Sequence, residues 1–458
     1  MTTTAAVDSR TTEVDALITS ESEAFVRRQP RSTAMIAEAA KSLAGGATSN
    51  WQIAQPQAVW MSHGQGSHVW DVDGNEYVDM HGGYGAAIAG HGHPAIVEAV
   101  SRQVARGTHF AQPTEDAIWL ANELVRRFGL PLWRFANSGT EATMDAIHLM
   151  RALTERDLVI KVEGCYHGHH DSVEVSVLPE ADEAGPPERP VSVPGNTGIP
   201  QAFVDLVAVV GFNDVAAVAR VLAENPGRVA GMIVEPVMMN AGIIPPDPGY
   251  LDAVRDLLHA HGALLAFDEV KTGLTVSPGG ATAAYRVTPD IICLAKALGG
   301  GLPVAAIGGT EAVMGLISDG TYEQVGTFNG NPLSMAAARA TLLEALTPDA
   351  YARVERLRAR LHEQVTEVLR TYDLPWHVVT AGAKGCISFL DRPVRHLRDF
   401  HDIDERLGHL HWLVQHNGGV FLPPWGKVEQ WLLSVQHDEE DADRFVANVA
   451  TFAALVRG

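Results

Sequence analysis

The run Asp290-Ile291-Ile292-Cys293-Leu294-Ala295-Lys296-Ala297-Leu298-Gly299-Gly300-Gly301 puts one lysine at the end of an apolar stretch and three glycines after it. Thr288-Pro289 and the β-branched start suit a buried strand. Lys296 then emerges at the strand end, beside a loop with room for a bulky group. Burying the stem of a lysine penalises its charged form, lowers its pKa and makes the amine nucleophilic, as carbonyl-trapping chemistry needs. A strand-end lysine that only extends its head to water has the same local sequence.

Three further motifs bear on the choice. Asn137-Ser138-Gly139-Thr140-Glu141-Ala142 opens a helix. There, unpaired backbone N–H groups and about half a unit of positive charge meet the hydroxyls of Ser138 and Thr140, while Gly139 permits close approach by a phosphate. The same residues also read as a plain capping box, Ser138 with Glu141. Tyr166-His167-Gly168 follows an apolar run, and the ring of Tyr166 can face a heteroaromatic group. His167, His169 and His170 lack the spacing or carboxylate partner that a metal centre calls for. Asp268-Glu269-Val270 ends the apolar run Ala263–Phe267. A carboxylate there needs a positive partner, which a protonated pyridine nitrogen, a metal or a buried arginine would provide. A phosphate cradle, an aromatic shelf, a carboxylate for a ring nitrogen and an aldehyde-trapping lysine together describe a site for pyridoxal 5′-phosphate (PLP).

Such groups need a sheet to carry them. Between about residues 117 and 310, short apolar runs (133–135, 158–162, 231–235, 263–268, 291–294 and 304–307) alternate with helical segments such as 140–153 and 250–261. The alternation predicts an α/β fold, a mainly parallel sheet with helices on both faces and ligands at the strands' carboxyl ends. Asp268 and Lys296 would end strands that are next but one to each other. Residues 68–79 predict a hairpin around Asp73-Gly74-Asn75, followed by a glycine-crowded loop that suits either a ligand or a tight packing corner. The proline-rich segment from about 178 to 203 predicts a long surface loop, as fitting for a lid as for an insertion. Residues 1 to about 20 read as polar and frayed, residues 21–43 as a helix broken near Pro30, and the chain beyond Pro332 as a long helical region to about residue 372. Strands near 386–390 and 432–435 and a last helix after Asp438 complete a smaller unit.

The chain has 458 residues, 46% of them apolar, with 34 Lys and Arg against 55 Asp and Glu and a formal charge of −21. The length suggests two or three folding units, and the charge disfavours nucleic acid or an anionic membrane as a partner. Cys165, Cys293 and Cys386 give no paired spacing for disulfides or a zinc ribbon. No apolar run nears the ~20 residues of a membrane span, and the N-terminus has no secretion signal, so the default location is the cytoplasm.

The chain resembles class III aminotransferases of PLP fold type I, and within them the glutamate-1-semialdehyde aminomutase-like branch. Trp70–Asp79, Gly90–Pro94, Phe135–Thr143, Glu163–Gly168, Ile233–Val237, Asp268–Gly273, Pro289–Gly301, Gly326–Pro332 and Ser434–Asp441 carry the likeness. It implies a large PLP-binding domain over 86–335 and a small α/β domain from 336–458, joined by residues 1–85. Lys296 would hold PLP and shuttle the proton, and Asp268 would pair with the ring nitrogen. Tyr166 and Val270 would sandwich the ring, with His167 beside them. Ser138, Gly139 and Thr140 would hold the phosphate, and Glu235 and Asn240 would stand behind the cofactor. Thr327 would reach the phosphate of the partner subunit in a homodimer.

The departures fall on the substrate side. After Gly45-Gly46 the aminomutase branch has an arginine for the substrate carboxylate, where this chain has Gln52 beside Trp51. Tyr84 replaces a pocket tryptophan, Glu429 matches a pocket glutamate, and Lys271 or Lys427 could supply a replacement charge. The implied activity is a transaminase moving an amino group between an amine or amino acid, hydrophobic or β-amino, and a keto acid. A glutamate-1-semialdehyde 2,1-aminomutase is the competing reading. A PLP-binding regulator would need a DNA-binding appendage, and the acidic charge argues against one.

Overall fold

The computed structural model describes residues 3–423 and 430–457, with side chains from Glu13 onward. Its centre is a seven-stranded sheet. Across the sheet the strands run Leu132–Ala136, Ala305–Gly309, Ile291–Leu294, Leu264–Asp268, Val229–Val234, Leu158–Val162 and Val207–Val210. The last five are parallel to one another, and Ala305–Gly309 is antiparallel to both of its neighbours. Near-continuous apolar strands make sense here because both faces are covered. Ile291, Cys293 and Ala266 pack with helix Gly139–Thr154 on one side, while Ile292, Leu294, Leu265 and Phe267 join Val254 and Leu258 of helix Tyr250–Ala260 in another cluster. This is the expected α/β architecture with a mostly parallel sheet.

Two details of the sheet differ from expectation. Asp268 pairs in register with Cys293, so the Asp268 and Lys296 strands are direct neighbours with no strand between them. The edge strand Val207–Val210 was not anticipated. It is only four residues long and follows a proline-rich stretch that dominates the local pattern.

The N-terminus also differs. Helix Thr3–Arg27 covers the residues read as frayed, and helix Pro30–Ala39 follows the break at Pro30. Val14, Leu17, Ile18 and Phe25 form a helical stripe that a polar, Thr-rich composition obscures, and it packs on the core. The ring of Phe25 lies 5.3 Å from that of Trp412 in helix Glu405–Asn417.

Two smaller sheets join distant parts of the chain. In the first, His68–Asp71 and Glu76–Asp79 form the expected hairpin, flanked by Met61–Gln65 on one side. Val420–Phe421 pairs in parallel with Glu76–Asp79 on the other. The second has the order His377–Ala381, Lys384–Ser388, Gln430–Leu432; its last two strands start two residues before the predicted ones, and His377–Ala381 has no predicted counterpart. The helical region after Pro332 is Pro332–Ala340, a π turn over Thr341–Ala345, and Pro348–Thr371. Among the described residues no helix is long and apolar enough to cross a membrane.

Helix Glu405–Asn417 carries two fully buried histidines. Burial pushes His411 and His416 down to about 3, so both stay neutral in the fold. An unfolded chain would protonate them near 6.5, so each contribution is complete above pH 6.5 and is lost as pH falls from there towards 3. His411 is surrounded by the rings of Phe389, Phe445 and Phe452, and Gln415, its hydrogen-bond partner, also donates to the Phe445 carbonyl. Thermal melts between pH 7 and pH 5 should show His411→Leu losing less Tm than the parent. Parallel curves would assign the acid sensitivity to other groups.

Candidate active site

The carboxyl ends of the central strands and the start of helix Gly139–Thr154 enclose a cavity of about 360 Å³. Lys296, Asp268, Tyr166, His167, Ser138, Gly139, Thr140, Val270, Glu235, Asn240 and Trp51 all line it. None of residues 178–203 does, so that loop takes no part in this cavity's wall.

Strand Ile291–Leu294 delivers Lys296 into a 3-10 turn at a φ of 46°. That left-handed value is uncommon for a residue with a Cβ and costs on the order of 1–3 kcal/mol. Burial depresses the pKa of its amine, against the opposing pull of Asp268 and Glu235. The glycines that follow divide between two uses. A Cβ on Gly300 would collide with Thr341 and Ile96, whereas Gly301 lines the cavity and has open space where a Cβ would stand.

Asp268 is almost fully buried. One oxygen accepts from the Val270 N–H at 3.0 Å, and the other lies 2.7 Å from His167 Nδ1. His167 Nε2 is buried without a protein partner, so the ring must be oriented by Asp268. Its neighbours serve the helix start: His169 approaches Thr140, and His170 approaches Thr143. Among the described residues no group of three His, Cys, Asp or Glu side chains could hold a metal ion.

Glu235 fixes the aromatic wall. Its carboxylate accepts from the backbone N–H of Tyr166 at 2.9 Å, from the Met239 N–H at 2.8 Å and from Asn240 Nδ2 at 2.7 Å. The Tyr166 ring meets Trp51 edge-on at 5.1 Å. At the other end, Ser138 makes the capping box with Glu141 and still lines the cavity, so the cap and the cradle are one arrangement. A Cβ on Gly139 would stand 3.0 Å from both methyls of Val270, which keeps the helix start close to the strand end.

Several candidates lie elsewhere. Gln52 is exposed, and its Oε1 accepts from the Thr48 N–H and hydroxyl. Tyr84 stands behind Trp51, donating to the Trp51 carbonyl at 2.8 Å with the rings 5.3 Å apart. Thr327 is exposed and does not line the cavity of the single chain. Glu429 and Lys427 lie outside the described residues. Ala86 and residues 302–304 complete the wall, and no sequence signal marks them. Lys384, whose Nζ reaches the Tyr84 carbonyl behind the cavity, could have been noticed as a lysine leading an apolar strand.

The family comparison decides what this arrangement belongs to. Residues 51–427 match the family described as Aminotransferase class-III. The chain belongs to the class III aminotransferases. A glutamate-1-semialdehyde 2,1-aminomutase 2 of Brevibacillus brevis is 36% identical over 91% of this chain and 96% of its own. An omega-transaminase from Sphaerobacter thermophilus superimposes with a TM-score of 0.88 at 34% identity, covering 94% of this chain and 100% of that one. A glutamate-1-semialdehyde aminomutase from Pseudomonas aeruginosa PAO1 also gives 0.88, at 30% identity, with 97% and 99% covered.

Class III aminotransferases are PLP enzymes acting on small amino and keto compounds, and the cavity fits that cofactor. Its helix start offers hydroxyls and N–H groups to a phosphate, His167 lines the cavity with its buried Nε2 unpartnered, and the buried carboxylate Asp268 lines it as well. When bound, PLP supplies an aldehyde carbon and an electron-withdrawing ring. Lys296 would hold that carbon and move the proton, Asp268 would keep a ring nitrogen charged, and Ser138, Gly139 and Thr140 would hold the phosphate.

Lys296→Ala should fold normally yet lose both turnover and the visible absorption of lysine-bound cofactor. Transamination at the parent rate would place the holding amine elsewhere. Asp268→Asn should retain PLP through its phosphate while kcat falls about a hundredfold or more, near 3 kcal/mol of barrier. A near-native kcat would mean that the ring nitrogen lies away from this carboxylate.

Proposed function

We propose that this class III enzyme is a transaminase, moving an amino group from an amine or amino acid with a hydrophobic substituent, including β-amino acids, to a keto acid. The observation that carries the reading is the fate of Gln52. It stands where the aminomutase branch has its carboxylate-binding arginine, and it is neutral, exposed and turned back onto Thr48. An amide cannot replace a bidentate, permanently charged pair. The wall beside it is aromatic, Trp51 against Tyr166 with Tyr84 behind, which suits an apolar or aromatic substituent. The omega-transaminase likeness agrees with this reading.

The competing reading, a glutamate-1-semialdehyde 2,1-aminomutase, has the names of the curated relatives in its favour. The two separate cleanly in kinetics. Purified holoenzyme should show higher kcat/KM for transamination of aromatic amines and β-amino acids with a keto acid than for isomerisation of glutamate-1-semialdehyde. Efficient isomerisation with no transamination would reverse the assignment.

The active unit in this reading is a cytoplasmic homodimer, with the chain divided near residues 85 and 335. The loop carrying Thr327 supports an interface: Val325 is 80% exposed and Phe328 58%, although each would gain about 1.5–3 kcal/mol from burial. Asn137 Nδ2 donates to Asn329 at 2.9 Å and ties this loop to the residue before the phosphate cradle. Cofactor retention should therefore depend on assembly. Thr327→Val should release PLP faster on dialysis, and dilution to monomers should release it as well. A monomer with full PLP occupancy would contradict the dimeric site.

A further inference from the structure

A keto acid always carries a carboxylate, so a transaminase site needs a cation for it even when the usual arginine is missing. Among the described residues lining the cavity, the ammonium groups are those of Lys296 and Lys271. Lys296 is committed to the cofactor. Lys271 stands three residues beyond Asp268, at the position where the strand end turns away, and it is half-buried and lines the cavity.

The surroundings of Lys271 leave its charge unmatched. Its Nζ donates to one group, the Met239 carbonyl at 2.9 Å. Among the described residues no carboxylate oxygen lies within ion-pair distance of it, and the two nearby carboxylates already hold other donors. Glu235 accepts from Tyr166, Met239 and Asn240, and Asp268 from Val270 and His167. The Met239 carbonyl, in contrast, has a second donor: Gln430 Nε2 reaches it at 2.7 Å. Lys271 can therefore turn to a ligand without stranding that carbonyl. Behind the wall stands a third lysine. Lys384 is buried, donates to the Tyr84 carbonyl at 3.2 Å, and has its Nζ 3.1 Å from where a Cβ on Gly85 would sit. Burial, with Lys271 and Lys296 nearby, holds the Lys384 amine well below its ordinary value, whereas burial pushes Lys271 down only to about 8. Lys271 is then the cation on this side of the cavity, and with no free carboxylate beside it the place suits an anion.

We propose that Lys271 receives the substrate carboxylate, so that the preferred donors are amino acids and not simple amines. The assignment rests on the transaminase reading for which substrate carries the carboxylate, and on geometry alone for where the carboxylate binds. Lys271 holds the keto acid in one half of the cycle and the amino acid in the other, and the aromatic side chains Trp51 and Tyr166 take the substituent.

The test uses PLP-loaded enzyme and an unreactive pair of probes, 3-phenylpropanoate and its neutral amide, followed by calorimetry. The parent should bind the acid more tightly than the amide. Lys271→Met, which keeps the stem and removes the charge, should weaken the acid by about tenfold or more and leave the acid no better than the amide, the scale of one hydrogen bond to a charged group. Lys271→Arg should recover part of the preference. In turnover, the ratio of kcat/KM for 3-amino-3-phenylpropanoate to that for 1-phenylethylamine should fall by a similar factor in Lys271→Met. A parent that binds acid and amide equally overturns the proposal. So does a Lys271→Met that weakens both probes alike with a lowered Tm, the mark of a lysine that only braces Met239. Acid binding that depends on Lys271 in an enzyme unable to transaminate sustains the carboxylate site and removes the transaminase reading instead.

Discussion

The contact between His167 and Asp268 is the constraint on which this site turns. A carboxylate at the end of a strand buried on both faces costs several kcal/mol unless donors meet it. Here one oxygen is held by the Val270 N–H and the other by an imidazole that is itself sealed from water. The pairing fixes the carboxylate plane and the His167 ring together. It also sets the neighbouring elements, since the His167 carbonyl accepts from Thr143 in the helix whose start forms the phosphate cradle. The acid, the aromatic shelf and the cradle are thus held as one unit. None of the three can shift without breaking a buried hydrogen bond.

Much of that unit was legible because each part has a local cause. The capping box at Ser138, the apolar run into Lys296 and the carboxylate after Ala263–Phe267 are short patterns whose physics is contained in a few residues. The central strands followed from apolar runs, and only the edge strand Val207–Val210 escaped, being short and preceded by prolines. Relations between segments were not legible. No local pattern says that His167 will face Asp268, that Gln52 will fold back onto Thr48, or that Lys384 will arrive behind Tyr84. The helix Thr3–Arg27 was missed for a related reason. Its apolar stripe becomes meaningful only when helix Glu405–Asn417 supplies a surface to bury it.

The site is also completed late in the chain. The sheet that carries Lys384 also carries Gln430, which secures the Met239 and Gly242 carbonyls at 2.7 Å each. The N–H of Leu432 meets the Met80 carbonyl at 2.8 Å, just before the loop that holds Tyr84. Residues near 80, 240, 384 and 430 therefore meet at one corner of the cavity. The cofactor end, by contrast, is built from residues 137 to 304. The two ends of the cavity thus differ in origin: only the corner at Gln430 also draws on segments from near both ends of the chain.

The Lys296 backbone, at a φ of 46°, is strained, and packing against Thr341 and Ile96 leaves no room for a Cβ at Gly300. Gln52, Tyr84, Lys271 and Lys384 lie on loops and strand ends where a change of side chain leaves the sheet intact. On the proposed reading, the carboxylate's cation is Lys271 and no longer a residue of the segment that holds Gln52, a change that leaves Asp268 and His167 untouched. The charge a carboxylate needs is a property of the cavity as a whole, and in this chain the buried hydrogen bonds of Glu235 and Asp268 decide where it is left unmatched.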